Sequence, residues 1–111
     1  MQAATNLYRA GKLQEAERAC LQLLRTGSPS AELYTLLGDV AQAQGRLKDS
    51  LSAYGRANQM APGYAPGWYG AGCALNGLTE YSYAVNCFRK SIALQPGHLE
   101  SHHNLGKALY Q

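Results

Sequence analysis

The sequence predicts an all-α chain built as a row of stacked helix pairs, and three observations predict it. The segment 65–98 repeats the layout of the segment 31–64 at a fixed offset of 34 residues: Gly38 answers Gly72, Tyr54 answers Phe88, Met60 answers Leu94 and Pro62 answers Pro96. Within each segment the apolar residues recur at three- and four-residue steps, the spacing that puts them on one face of a helix. Between the stripes stand glycine and proline, which interrupt helices.

Taken in order, residues 1–30 fall without a gap on positions 5 to 34 of an earlier unit. Gly11 and Leu13 then match Gly45 and Leu47, while Ala16 and Cys20 match the positions of Ala84 and of Tyr54 and Phe88. Its helices run from near the start to Ala10 and from Leu13 to about Arg25, ending in Thr26-Gly27-Ser28-Pro29. In the second unit Leu33, Leu36, Leu37, Val40 and Ala41 form one stripe and Leu47, Leu51, Tyr54, Ala57 and Met60 another, predicting helices over 31–44 and 47–60. The third unit predicts helices over 66–77 and 80–94, with Pro66 in a first turn, where its missing N–H is no loss, and Asn76-Gly77 as the connecting turn. Residues 99–111 supply the first helix of a fourth unit, Leu105-Gly106 matching Leu37-Gly38. The expected organisation is one domain over 1–111, with a partial unit 1–30, full units 31–64 and 65–98, and a final helix 99–111.

Composition excludes several function classes. A chain with 46% hydrophobic and 15% charged residues is expected to fold, and its ten lysines and arginines stand singly apart from Arg89-Lys90. A net charge of +3 without a basic run gives no nucleic-acid or anionic-membrane surface. Cys20, Cys73 and Cys87 are odd in number and lack C-x-x-C spacing, which points to a reducing compartment rather than a disulfide framework. The opening MQAATNLYRAGKL has neither the basic start nor the apolar core of a secretory signal, and no run reaches the roughly 20 residues of a membrane span. The expected location is cytoplasmic, or periplasmic if an upstream signal has been removed.

A 34-residue helix-turn-helix unit resembles the tetratricopeptide repeat. The third unit carries Trp68, Gly72, Ala84, Phe88 and Pro96 at that pattern's spacing, with Ala71 and Leu75 as departures; the second keeps Tyr34, Leu37, Gly38, Tyr54, Ala57 and Pro62, with Ser50 where alanine is usual. The resemblance implies a right-handed superhelical α-solenoid of stacked antiparallel helix pairs, about three units and seven helices. The small residues let the two helices of a unit approach, and Trp68, Tyr54 and Phe88 fill the spaces between units.

The same resemblance implies that the first helix of each unit lines a concave groove, presenting Thr5, Tyr8 and Arg9; Glu32, Thr35, Asp39 and Gln42; Tyr69, Gly70, Cys73, Asn76 and Gly77; and Glu100, His103, Asn104, Lys107 and Tyr110. Mixed polar groups and aromatics suit an extended peptide, and Tyr8, Asp39, Gln42, Tyr69, Asn76, Asn104 and Lys107 are the expected contacts. A merely solvated face is the competing account. Some relatives grip a terminal carboxylate through cationic and amide side chains; the corresponding positions here supply no cationic clamp, so no binding of that type is expected. Gly70 is either a notch for a ligand backbone or a neutral replacement, and Gly77 a helix cap. His102 takes the packing position of Trp68. His98, His102 and His103 lack a further ligand at metal spacing, and the cysteines read as apolar fillers.

No nucleophile with its base, carboxylate pair, phosphate loop or metal motif emerges, so no catalysis, cofactor or metal is expected. The leading function is a protein-interaction scaffold that holds a peptide or partner protein in its groove. Two alternatives stand beside it: the substrate-recruiting repeat section of a larger bacterial glycosyltransferase or sulfotransferase, which similar repeats precede, and a self-assembly module whose open ends pair into a homodimer.

Overall fold

Each apolar stripe becomes a helix in the computed structural model, which describes residues 1–111. The helices are α1 (Gln2–Arg9), α2 (Leu13–Arg25), α3 (Ala31–Ala43), α4 (Leu47–Met60), α5 (Ala65–Gly77), α6 (Tyr81–Leu94) and α7 (Leu99–Leu109). Ser30 caps α3 by accepting the Leu33 amide at 3.0 Å, and Pro66 sits in the first turn of α5.

The turn inside each pair is the same device three times. Gly11, Gly45 and Thr79 take left-handed backbone angles, φ +79°, +78° and +62°. The next amides, of Lys12, Arg46 and Glu80, then return to the carbonyls of Leu7, Ala41 and Leu75, each at 2.9 Å, which ties the turn to the last carbonyls of the ending helix. The expected turn at Asn76-Gly77 is thereby corrected: both residues belong to α5, and Thr79 holds the position that glycine holds in the other two units. Gly77 is no cap; a Cβ there would come within 2.7 Å of Leu47 Cδ1, so close helix approach explains it.

Consecutive helices pack on one another, and α3 also touches α5 and α5 touches α7, whereas no comparable contact joins α2 to α4 or α4 to α6. Helices α3, α5 and α7 therefore crowd together along one side, and that side is the inner face of a curved stack measuring 40 × 25 × 21 Å. The core is layered. Ala4, Cys20, Leu33 and Leu36 form one cluster, Tyr54, Ala71 and Ala74 the next, and Leu75, Ala84, Phe88 and Ala108 the last. A helix pair buries its stripe only against its neighbours, as in any one-dimensional stack.

Trp68 plays a different part from the expected filler. Its ring is only half-buried, its Nε1 donates to the Pro62 carbonyl at 2.8 Å, and Lys90 Nζ lies 5.8 Å from the ring centre. His102, 34 residues on, is exposed and repeats the bond, its Nε2 lying 2.7 Å from the Pro96 carbonyl. Both side chains clasp the loop before their own helix.

Candidate functional site

The inner face carries two adjoining cavities that share Cys73. The first, about 300 Å³, is lined by Tyr8 of α1, Asp39, Gln42 and Ala43 of α3, Tyr54 of α4, and Tyr69, Gly70 and Cys73 of α5. The second, about 330 Å³, is lined by Cys73, Asn76, Gly77, Tyr81, Asn104, Lys107 and Gln111. The seven residues expected to make contacts divide between them: Tyr8, Asp39, Gln42 and Tyr69 in the first, Asn76, Asn104 and Lys107 in the second. Thr35, expected in the groove, is buried instead.

Tyr54 is the residue that sequence reasoning missed. It belongs to α4, the second helix of its unit, yet reaches the groove because two glycines let it through. Cβ atoms on Gly38 and Gly70 would come within 2.7 Å and 2.3 Å of its ring, so the ring lies between them. Gly70 is accordingly neither a notch nor a neutral replacement; the ring occupies the space beside it. The hydroxyl emerges at the inner face, donates to Asp39 Oδ1, and lies 3.1 Å from Gln42 Oε1. The available signal was the pairing of a tyrosine at the aromatic position with glycine at 70, where the second unit has Leu36.

Burial holds the Asp39 carboxyl above its ordinary range, and the Tyr54 hydrogen bond offsets part of that rise. The Tyr54 hydroxyl is pushed far up, first by burial and then by the neighbouring carboxylate. Tyr8 shifts upward for the same two reasons.

Tyr69 joins the two cavities. Its ring meets His98 edge-on at 4.8 Å and lies 6.0 Å from Phe88, and its hydroxyl accepts from Asn104 Nδ2 at 3.1 Å. Burial raises the Cys73 thiol, leaving it a protonated filler at neutral pH. The three histidines do not converge: His98 bonds Ser101 Oγ at 2.6 Å and Glu100 at 2.9 Å, and His102 faces its own loop. No group of three His, Cys, Asp or Glu side chains is arranged to hold a metal, and no helix is long and apolar enough to cross a membrane.

The sequence model of the tetratricopeptide repeat matches residues 31–64 and 65–98. No curated protein matches the chain. Among solved structures, MamA superposes with a TM-score of 0.90 at 21% identity, over 97% of this chain and 59% of that one. The first such domain of Spaghetti (RPAP3), bound to the HSP90 peptide SRMEEVD, gives 0.95 at 16% identity, over 98% of this chain and 86% of that one. YrrB, described as having an unusual peptide-binding site, gives 0.85 at 22% identity, over 96% and 55%. At these identities the likeness establishes the fold, and this chain spans less than two thirds of MamA and of YrrB.

Proposed function

Because the chain belongs to the tetratricopeptide repeat family, we propose that it is an interaction module whose inner face holds an extended segment of a partner protein. One observation carries the reading: the seven side chains picked out in the sequence line two cavities that share Cys73, on the face where α3, α5 and α7 crowd together. Amides, a carboxylate, an ammonium and tyrosines alternate there, a mixture suited to a peptide's backbone and side chains. The Spaghetti domain with its bound peptide supports the reading by fold.

The partner is not an acidic chain terminus gripped in the manner of a cationic clamp, since Lys107 is the only cation lining either cavity. Calorimetry with the peptide SRMEEVD is expected to give no submicromolar binding; tight binding would overturn this part.

The test of the groove uses peptides selected on the 111-residue chain from a phage-displayed random library. Selected peptides should shift the amide resonances of Tyr69, Asn104 and Asp39, and Tyr69→Ala with Asn104→Ala should abolish binding while Arg89→Ala on α6 leaves it intact. Shifts confined to α2, α4 and α6 would overturn the reading.

Self-association is a second reading, favoured by exposed apolar side chains on and beside α7: Leu99 at 78%, Leu109 at 48% and Tyr110 at 88% of full exposure. Light scattering should then show mass rising with concentration; a constant monomer mass would end it.

A further inference from the structure

Position 9 of successive units reads Thr5, Asp39, Cys73 and Lys107, so this row of the groove carries one acidic and one basic group two units apart. Asp39 lies in the cavity with three tyrosines. Tyr8, Tyr54 and Tyr69 come from three different helices, and the other lining groups, Gln42, Ala43, Gly70 and Cys73, carry no charge. The Tyr54 hydroxyl engages Asp39 Oδ1, while Oδ2 makes no hydrogen bond within the chain. No cation of the chain neutralises it: the ion pairs are Arg46 with Glu17, Arg46 with Asp49, and His98 with Glu100.

A lone carboxylate in a wall of aromatic rings attracts one kind of group. Ring faces are negative and draw cations, and a partly desolvated carboxylate strengthens that draw. A cavity of about 300 Å³ is at the small end for binding sites, sized for one long side chain. Tyr54, held by Gly38 and Gly70 and bonded to Asp39, fixes the carboxylate before anything arrives, which reduces the ordering a ligand must impose.

We propose that this cavity is the specificity pocket of the groove and takes the lysine or arginine side chain of the bound segment, with Asp39 Oδ2 as the acceptor and Tyr8, Tyr54 and Tyr69 as the surrounding rings. The inference rests on the groove reading above. The peptides selected from the random library test both separately. Most should carry lysine or arginine at one shared register position, and Asp39→Asn, which keeps the shape and an acceptor for Tyr54, should no longer select it. For the tightest peptide, lysine or arginine replaced by norleucine should weaken binding to the native chain about tenfold or more, equivalent to about 1.4 kcal/mol, and change binding to Asp39→Asn far less. Groove-binding peptides with no shared basic position, or an equal loss in both chains, would overturn the pocket and leave the groove reading standing. Peptides that map to the outer helices would overturn both.

Discussion

At one and the same place in the two complete units, Tyr54 and Phe88 set a ring against a glycine of their own first helix, Gly38 and Gly72, where a Cβ would come within 2.7 Å and 2.6 Å of it. Only Tyr54 carries a hydroxyl, and it meets Asp39 and Gln42. The corresponding residues beside Phe88 are Cys73 and Asn76. Packing is thus conserved between the units by ring and glycine, whereas the inner face is rewritten by what stands at three positions. The scaffold and its chemistry vary independently, and each can be perturbed without the other.

The largest effect is expected from closing the second side of the Tyr54 slot. Gly70→Ala would put a methyl 2.3 Å from the ring, and overpacking of this kind costs about 1–3 kcal/mol. Gly106→Ala, at the position of Gly38 and Gly72 but with open space before it, should instead stabilise α7 by about 1 kcal/mol, the helix preference of alanine over glycine. Urea denaturation of the two variants gives opposite signs if the ring explains Gly70, and the same sign if it does not.

Exchanging the two aromatics isolates the hydroxyl. Tyr54→Phe removes the donor to Asp39 and should cost about 1.5 kcal/mol, the low end of the range for a hydrogen bond to a charged group. Phe88→Tyr should cost little or stabilise, because Asn76 Oδ1, buried and without a hydrogen-bond partner, lies at the corresponding position to receive the new hydroxyl. Equal losses in both exchanges would show that the rings matter and the hydroxyl does not.

The turns extend the comparison. Thr79 stands at φ +62° where the second unit has Gly45, and a β-branched residue is strained there. Thr79→Gly should therefore stabilise the chain by about 1 kcal/mol, whereas Gly45→Thr should cost a similar amount. Thermal unfolding of both variants decides it.

Much of this was legible in the sequence because repetition makes each unit a control for its neighbours. Seven helices followed from two apolar stripes per unit, and the inner-face residues followed from family position. What stayed hidden arose where one unit departs from the others. The end of α5 at residue 77 was legible, but the turn after it was misplaced: Asn76-Gly77 has turn composition, yet the backbone turns two residues later under a threonine that nothing in its chemistry marks for φ > 0. Gly70 looked dispensable because its purpose lies in the previous unit's tyrosine. The contribution of Tyr54 to the groove depends on passing between two glycines 32 residues apart in sequence, a relation that periodicity within one unit cannot express.

Asp39 gives the smallest change in stability and the most informative one. Burial raises its folded pKa above the ordinary carboxylate value of about 3.9, with the Tyr54 hydrogen bond as a partial offset; the other titratable groups lining its cavity are Tyr8, Tyr69 and Cys73, all neutral at pH 7. A carboxyl whose pKa is raised by folding binds its proton more readily in the folded state, so its contribution is fully present below the unfolded pKa and is lost as pH rises through the folded one. Asp39→Asn should consequently be more stable than the native chain at pH 7, with the gap narrowing as pH falls through the raised value and closing below the ordinary one. Urea midpoints measured across that range would refute the account if the variant were the less stable at neutral pH. If the variant is the more stable, the second unit keeps, at some expense in stability, a charge that the third unit replaces with a thiol, which is the behaviour expected of a group retained for what it binds.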